Sequence, residues 1–128
     1  MPGVRMWVWK IMTTNSDYVP AKGDIVWLVL DPRVGHEQSG RRPVIVISEK
    51  LFAERTGLAV ICPINTKVKG LPFEIVLKNS MTKGAVLPIH IKSVDWKARH
   101  AKYIETVKPA MLRKITEAVE AIIGLSSN

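Results

Sequence analysis

The chain has 128 residues, the length of one ordinary domain, and 47% of them are apolar, which is enough to form a core. Its formal net charge of +8 favours a polyanionic partner, such as nucleic acid, an acidic protein or a membrane surface. The single cysteine, Cys62, excludes an intrachain disulfide, and no apolar run approaches the roughly 18 residues of a membrane span.

Residues 1–17 are interpreted as an N-terminal extension, either disordered or the result of a mis-assigned start, since Met1, Met6 and Met12 are all possible initiators. The segment lacks the long apolar core and the cleavage site of a secretory signal. A domain over 18–128 is predicted, because the regular pattern of strands and turns begins there.

Short apolar runs separated by turn residues predict a mainly β, antiparallel fold. Two prolines are informative, because proline cannot donate a hydrogen bond within a sheet. Pro43 suits the first residue of its strand, and Pro63 suggests an edge or a bulge. One helical turn is predicted at 50–55, before Gly57. The predicted extended segments are 25–30, 43–48, 58–64, 73–77, 85–87 and 89–96.

The C-terminal segment has helical periodicity instead. Pro109 suits the first position of a helix, and Gly124 is a natural stop. Between them, apolar residues follow at helical spacing: Leu112, Ile115, Val119, Ile122 and Ile123. We therefore predict a small β-barrel, with the C-terminal helix packed on one side of a curled antiparallel sheet.

The sequence contains no recognisable metal or cofactor motif. His36, His90 and His100 are isolated, and Cys62 has no neighbouring ligand at the spacing of a zinc site. A phosphate-binding P-loop and the Gly-x-Ser-x-Gly elbow of hydrolases are also absent from the sequence. Most enzyme classes that need a metal or a cofactor are thereby disfavoured, and neither is predicted.

A polar loop between two apolar strands is the most informative feature. It reads Gly35-His36-Glu37-Gln38-Ser39-Gly40-Arg41-Arg42-Pro43, and two arginines stand near its end. Arg42 is thereby placed at the mouth of a buried strand, where a fixed cation could meet a phosphate. Loops that a rigid scaffold positions commonly carry function.

Arginines without metal ligands suit the cleavage of RNA, which carries its own nucleophile, the 2′-hydroxyl. A protein can align that hydroxyl with the adjacent phosphate and stabilise the charge of the transition state. A fixed cation, hydrogen-bond donors and one proton shuttle suffice, and the products are a 2′,3′-cyclic phosphate and a 5′-hydroxyl. The candidate groups, in loops beside the strands, are Glu37, Arg41, Arg42, Asn65, Thr66, Lys67, Lys69, His90, Lys92, Ser93, Lys97 and Arg99.

Four segments make the chain resemble a known family. The first is Tyr18-Val19-Pro20 with Gly23-Asp24-Ile25-Val26-Trp27, and the second is Asp31-Pro32 with the polar loop. The others are Val68-Lys69-Gly70-Leu71-Pro72-Phe73-Glu74 and Ile91-Lys92-Ser93-Val94-Asp95-Trp96-Lys97-Ala98-Arg99. In order and spacing they resemble the MazF/PemK family of toxins, which are ribosome-independent endoribonucleases, over nearly all of residues 18–124.

The resemblance implies an SH3-like barrel of the CcdB/PemK type and a homodimer in the bacterial cytoplasm, with no membrane association. It implies that the protein cuts single-stranded RNA at a short sequence, without a metal. It also implies an antitoxin whose acidic tail occupies the RNA groove, because one basic groove serves both partners by the same electrostatics.

The resemblance also assigns catalytic roles. Arg42 matches the catalytic arginine and would stabilise the transition-state phosphate, while Glu37 would orient Arg42 or the 2′-hydroxyl. Asn65 stands where the family has a catalytic threonine, and Thr66 follows one position later. Asn65 can donate to a phosphate oxygen and is slightly favoured, since adjacent strand residues point to opposite faces.

A second departure from the family lies before Ile91. Relatives carry an acid–amide pair where this chain has Ile89 and His90. The favoured interpretation of His90 is a tolerated polar residue on a barrel strand. The alternatives are an acid or base near neutral pH and an altered RNA target sequence. The predicted RNA-binding residues are Gln38, Arg41, Lys69, His90, Lys92, Ser93, Lys97 and Arg99.

Two alternatives to an active ribonuclease stay open. One is a non-catalytic toxin of the same fold that acts by protein binding, as CcdB-like gyrase poisons do. The other is a relative whose catalysis is weakened at Asn65 and at Ile89-His90, but which still binds RNA or an antitoxin.

Overall fold

The structure is a computed structural model, and it describes residues 17–30 and 40–124. Nearly all of the predicted N-terminal extension lies outside these ranges, so the predicted domain boundary stays a prediction. The described residues form seven strands, two α-helices and one 3₁₀ turn. They are β1 (Asp24–Val29), β2 (Arg41–Val46), α1 (Lys50–Thr56), β3 (Leu58–Asn65), β4 (Ile75–Val76), β5 (Ala85–Val86), the turn Pro88–His90, β6 (Lys92–Asp95), β7 (Lys102–Thr106) and α2 (Pro109–Ile123).

The strands form one curled antiparallel sheet with the order β4-β5-β3-β2-β1-β7. The long strand β3 pairs with β2 along one edge and divides its other edge between two partners. Its first four residues pair with β6, and its last two, Ile64 and Asn65, pair with β5. This architecture, with a helix at the C-terminus, confirms the predicted mainly β fold.

Apolar side chains are buried on both faces of the sheet, which explains the nearly continuous apolar runs in the sequence. Ile25 and Ile45 belong to the core that contains the buried face of α2. Their neighbours in sequence, Val26 and Val44, belong to a second core together with Trp96. Neighbouring residues of a strand point to opposite faces of the sheet, so β1 and β2 each supply side chains to both cores.

Helix α2 covers the first core, as predicted. Met111, Ile115 and Val119 are its buried residues, at the spacing of one helix face. Pro109 stands in the first turn, where its missing N–H is not needed, and Gly124 ends the helix with φ near 81°. The short helix α1 also forms where a helical turn was predicted, and its Ala53 reaches the second core.

Several strand predictions need correction. The segment predicted as extended at 73–77 is a strand only at Ile75–Val76, because Phe73 lies in a turn with φ near 64°, and β7 was not predicted.

Pro43 is the third residue of β2, not the first. Pairing between β2 and β3 begins only at Val44, so the missing N–H of Pro43 interrupts no ladder with β3. The segment from Ile89 is not extended from its start, because Pro88 begins a 3₁₀ turn that includes His90, and β6 starts only at Lys92.

Pro63 lies inside the central strand β3, yet it occupies a local gap in the pairing. The β6 partners of β3 end at Ile61, and the β5 partners begin at Ile64. On this edge of β3 no strand pairs with Pro63, so its missing N–H interrupts no ladder with β5 or β6, although Val44 of β2 lies opposite it on the other edge. The change of partner at this point also opens space between the ends of β5 and β6.

Candidate functional site

A cleft of about 740 Å³ lies at this gap in the sheet. Apolar residues form much of its wall, among them Leu30, Leu71, Leu87 and Ile89. The polar and charged residues of its lining are Arg42, Asn65, Lys69, His90 and Lys92, all of which the sequence analysis proposed as site residues. Among the described lining residues, three carry a positive charge and none is acidic.

The strand register brings Arg42 and Asn65 together. Val44 of β2 lies opposite Pro63 of β3 in the last pair of that ladder. Continued by two residues, the same register places Arg42 opposite Asn65 and on the same face of the sheet. A cation and an amide from two neighbouring strands therefore line the same cleft.

Gly84 lies against the backbone of Asn65, directly before β5. A side chain at Gly84 would collide with the carbonyl oxygen of Asn65, and its φ of 127° is one that residues with a Cβ rarely adopt. Because Gly84 has no side chain, β5 can approach and pair Ala85 with Asn65. Asn65 is half-buried as a result, and it faces the cleft from a rigid strand.

The Arg42 guanidinium is available to a ligand. Arg42 is exposed, and no hydrogen bond or ion pair engages its side chain among the described residues. Arg41 and Arg99 differ from Arg42, because their guanidinium groups contact other residues of the fold. Arg41 stacks on the Trp27 ring, with its guanidinium carbon 4.5 Å from the ring centroid. Arg99 uses Nη1 to donate to the carbonyl oxygens of Val29 and Leu30, both at 2.8 Å.

A carboxylate holds the loop that brings Lys69 and Leu71 to the cleft. Glu74 accepts hydrogen bonds from the backbone N–H groups of Lys69 and Gly70, at 3.0 and 2.8 Å. Its own N–H donates to the carbonyl oxygen of Leu71 at 3.1 Å. This role of Glu74 was not predicted, although a carboxylate four residues after Gly70 could have indicated a side chain that holds the turn.

The 3₁₀ turn brings His90 to the opposite side of the cleft. The N–H of Leu87 donates to the carbonyl oxygen of Pro63 at 2.9 Å, which ties the turn to β3. The N–H of His90 then donates to Leu87 at 3.1 Å, and Pro88 is fully buried beneath. His90 is therefore exposed on a fixed turn, and its interpretation as a residue on a barrel strand was wrong.

Several predicted site residues do not line the cleft. Thr66 follows β3 as an exposed residue outside the lining, so of the two threonine substitutes the structure brings only Asn65 to Arg42. Ser93 is exposed on β6, opposite Val60. Glu37 and Gln38 lie outside the described residues. The functional roles of all these residues stay predictions.

Lys97 and Arg99 lie away from the cleft as well. Lys97 places Nζ 5.5 Å from the ring centroid of Trp96, which is buried and donates its indole N–H to Ala53 at 3.3 Å. A second, smaller cleft of about 360 Å³ contains Lys97. Arg99 joins its segment to the end of β1 through its two carbonyl contacts, so the structure gives it a structural role; its predicted RNA contact is untested.

In the described part of the chain, no buried side-chain nitrogen or oxygen atom lacks a hydrogen-bond partner. The Asp24 carboxylate, 6% exposed, accepts hydrogen bonds from Tyr18 at 2.6 Å, Thr106 at 2.9 Å and the backbone of Ala21 at 3.0 Å. Burial, and next the hydrogen bond to Asp24, raise the pKa of Tyr18. Burial raises the pKa of Cys62 to about 12, so this thiol is a poor nucleophile.

The described ranges contain no cluster of three or more His, Cys, Asp or Glu residues that could hold a metal ion. In the same ranges, no helix has the length and apolar character needed to cross a membrane. What the described site offers is a concave cationic surface with one amide and one imidazole, which suits a flexible anionic chain.

Comparison with known proteins identifies the family of the chain. The family model for PemK-like, MazF-like toxins of type II toxin-antitoxin systems matches residues 21–123. The endoribonuclease toxin MazF of Escherichia coli strain K12 is 39% identical over 109 residues, covering 85% of this chain and 98% of that protein. Endoribonuclease PemK of Escherichia coli is 30% identical over 120 residues, covering 89% and 88%.

Solved structures show the same fold. The crystal structure of MazE-MazF (Form-II) from Deinococcus radiodurans contains a chain that superposes with a TM-score of 0.74 at 32% identity. The superposition covers 84% of the present chain and 97% of the matched one. The chain therefore belongs to the family of PemK-like, MazF-like toxins of type II toxin-antitoxin systems.

Proposed function

We propose that this protein is an endoribonuclease toxin that cuts single-stranded RNA at a short sequence, using its own side chains instead of a metal. Relatives that are named endoribonucleases, MazF and PemK, match nearly their whole length to this chain. The observation that carries the proposal is the exposed Arg42, which has no partner among the described residues, in a cleft whose described lining has three cations and no acid. Such a cleft attracts a phosphodiester and concentrates positive charge where the transition state gains negative charge.

The proposed reaction is an internal transesterification. The 2′-oxygen loses its proton and bonds to phosphorus, the bond to the 5′-oxygen breaks, and that oxygen is protonated. The products are a 2′,3′-cyclic phosphate and a 5′-hydroxyl. Arg42 stabilises the added negative charge on the phosphoryl oxygens, and Asn65 opposite it donates a hydrogen bond to one of them.

The remaining basic groups bind the flanking chain. Lys69 and Lys92 line the same cleft and would contact neighbouring phosphates, since a lysine ammonium acts as a point charge for such groups. Apolar residues such as Leu71 and Ile89 give the bases a surface on which to pack. Recognition of a short unpaired sequence is consistent with this mixture, because unstacked bases can be read at their edges.

The proposed partners follow from the same charge. A homodimer in the bacterial cytoplasm is proposed, together with an antitoxin whose acidic tail competes with RNA for the Arg42 cleft. The MazE-MazF crystal structures from Deinococcus radiodurans support an antitoxin partner. An acidic peptide and RNA would be bound by the same cations, and both should dissociate as salt rises.

A cleavage assay tests the proposal. Purified protein is incubated with a long single-stranded RNA in EDTA, and the cut sites and the new ends are mapped. We expect cuts at one recurring short sequence, with 2′,3′-cyclic phosphate and 5′-hydroxyl ends. RNA that stays intact would favour the protein-binding toxin of the same fold, and 3′-hydroxyl ends would contradict attack by the 2′-oxygen.

A further inference from the structure

His90 differs in chemistry from every other described residue that lines the Arg42 cleft. Arginine and lysine normally keep their protons at neutral pH, and the asparagine amide does not titrate there. The other lining residues are apolar. Histidine is the side-chain type whose charge ordinarily changes between pH 5 and 8. Within the described lining, proton transfer near neutral pH is thus open to this one imidazole.

The fold fixes the backbone of His90 and leaves its side chain exposed. Its turn is fixed by the hydrogen bonds from Leu87 to Pro63 and from Ile91 to Pro88, at 2.9 and 3.2 Å. The turn packs against α2 and β3, and Pro88 at its start is fully buried. The His90 side chain nevertheless remains exposed on the cleft wall. A rigid backbone with a free imidazole is the arrangement that general acid–base catalysis requires.

We propose that His90 is a catalytic residue that donates the proton to the 5′-oxygen as it leaves. This inference rests on the proposed function. The three cations of the cleft, Arg42, Lys69 and Lys92, already favour the anionic 2′-oxygen and the charged phosphoryl group. Charge alone does not protonate the 5′-oxygen, which is a poor leaving group until it gains a proton. A proton donor that works near neutral pH therefore supplies what the rest of the described lining lacks.

The proton balance of the step is complete. Hydroxide from solvent removes the 2′-proton and becomes water. The 2′-oxygen bonds to phosphorus, the phosphorus–5′-oxygen bond breaks, and its electron pair takes the proton of the His90 imidazolium. The neutral imidazole then regains a proton from water, which restores the hydroxide.

The described groups around His90 in the cleft are cations, one amide and apolar side chains. The cleft-lining neighbours are Arg42 from β2, Asn65 from β3, Lys69 from the loop and Lys92 from β6. Helix α2, which packs against the turn, has apolar residues at its buried positions. Its charged residues, Arg113, Lys114, Glu117 and Glu120, are exposed. In the described part of the chain, no carboxylate and no second histidine lines the cleft. A rate change between pH 5 and 8 that disappears in His90→Gln would therefore belong to His90.

A substrate with sulfur in place of the bridging 5′-oxygen provides the test, because a thiolate leaves without first being protonated. The rate of cleavage of bound RNA is measured for the wild type, for His90→Gln and for the control His100→Gln. His100 is exposed and lies outside the Arg42 cleft. At pH 6.5, His90→Gln should slow cleavage of the oxygen substrate about 100-fold. With the sulfur substrate it should match the wild type to within about threefold.

The pH dependence of the cleavage rate provides a second test. Without the donor, the rate of His90→Gln should rise with hydroxide over the whole range, whereas the wild-type rate should level off once the imidazole loses its proton. The deficit of the variant should therefore shrink as the pH rises. His100→Gln should follow the wild type with both substrates, and thermal unfolding should show all three proteins equally folded.

Three results would overturn the inference. Equal deficits with oxygen and sulfur would show that His90 does not protonate the leaving group, and an undiminished rate in His90→Gln would show that it takes no part. In both cases the wild type still cuts RNA and the proposed function stands. RNA left intact by the wild type would overturn the proposed function and this inference together.

Discussion

Two polar regions of the molecule differ in how their charged groups are satisfied. The Asp24 carboxylate is buried and accepts hydrogen bonds from Tyr18, Thr106 and the backbone of Ala21. The Arg42 guanidinium is exposed at a cleft and has no hydrogen-bond or ion-pair partner among the described residues. The first arrangement stabilises the folded chain, because a buried charge without partners is costly. The second leaves a charge free for a ligand.

The same contrast separates two arginines that were both predicted to meet RNA, Arg42 as a catalytic group and Arg99 as a binding one. Arg99 donates to two backbone carbonyl groups near the end of β1, whereas Arg42 makes no such contact in the described structure. Residue type alone thus does not distinguish a structural cation from a binding one. What distinguishes them is whether the fold already occupies the donors of the side chain.

Arg42→Ala should have the largest effect on activity. Loss of the guanidinium removes the main positive charge expected at the transition-state phosphate, so the cleavage rate of bound RNA should fall about 1,000-fold. The free energy of unfolding in urea should change by less than about 0.5 kcal/mol, since the exposed side chain has no partner to lose among the described residues. Cleavage within a few-fold of the wild-type rate would exclude the proposed site.

Arg99→Ala is the matched comparison. Its guanidinium satisfies the carbonyl groups of Val29 and Leu30, so its removal should cost about 2 kcal/mol of stability. If Arg99→Ala instead left the urea midpoint unchanged and weakened RNA binding, the division between structural and binding arginine would be wrong.

Asp24→Asn tests the other half of the comparison. The substitution keeps the shape of the side chain but turns one acceptor into a donor that faces other donors, so we expect a loss of about 3 kcal/mol in the free energy of unfolding. Asp95→Asn is the control, because Asp95 is exposed and accepts one hydrogen bond, from the backbone of Ala98 at 2.9 Å. Equal losses in the two variants would contradict the importance of burial.

Glu74→Ala should affect the cleft indirectly. Without the carboxylate, the loop no longer fixes the backbone of Lys69 and Gly70, and kcat/KM for RNA should fall about fivefold. Stability should change by less than about 1 kcal/mol, because both hydrogen bonds are exposed. If Glu74 acts by placing Lys69, the Glu74→Ala/Lys69→Ala double variant should be no slower than Lys69→Ala. Additive losses would contradict that role.

The sequence analysis predicted the elements whose patterns are local. The apolar runs of β1 and β3 and the helical spacing from Leu112 to Val119 arise from neighbouring residues, and these elements form as expected. The turn at Pro88 was missed, because apolar residues on both sides of it resemble a strand. A proline at the start of a 3₁₀ turn is compatible with both interpretations.

The cleft was predicted in its residues but not in its geometry. The resemblance supplied Arg42 and placed Asn65 at the catalytic position, but their pairing depends on the register between β2 and β3. The role of Arg99 depends on carbonyl groups 70 and 69 positions away along the chain. Contacts of this range are set by tertiary packing, so periodicity and spacing do not contain them.

The smallest predicted effect concerns a second carboxylate that holds a loop. Glu105 of β7 accepts hydrogen bonds from the backbone N–H groups of Met81 and Thr82, at 3.1 and 2.7 Å. Burial alone would raise the pKa of Glu105, but the hydrogen bonds from Thr82 and Met81 outweigh it and lower the pKa. A lowered pKa means that folding favours the ionised carboxylate.

Glu105→Gln should therefore reduce stability in a pH-dependent way. The contribution of the carboxylate is present above the ordinary glutamate pKa of about 4.3 and is lost as the pH falls through the lower value of the folded state. Urea unfolding should show a deficit of about 0.5–1 kcal/mol at pH 7 that shrinks as the pH falls below the ordinary glutamate pKa. The exposed Glu117→Gln should show no deficit over the same pH range. A Glu105→Gln deficit that persisted unchanged to pH 3 would mean that the loop is held by the shape of the side chain and not by its charge.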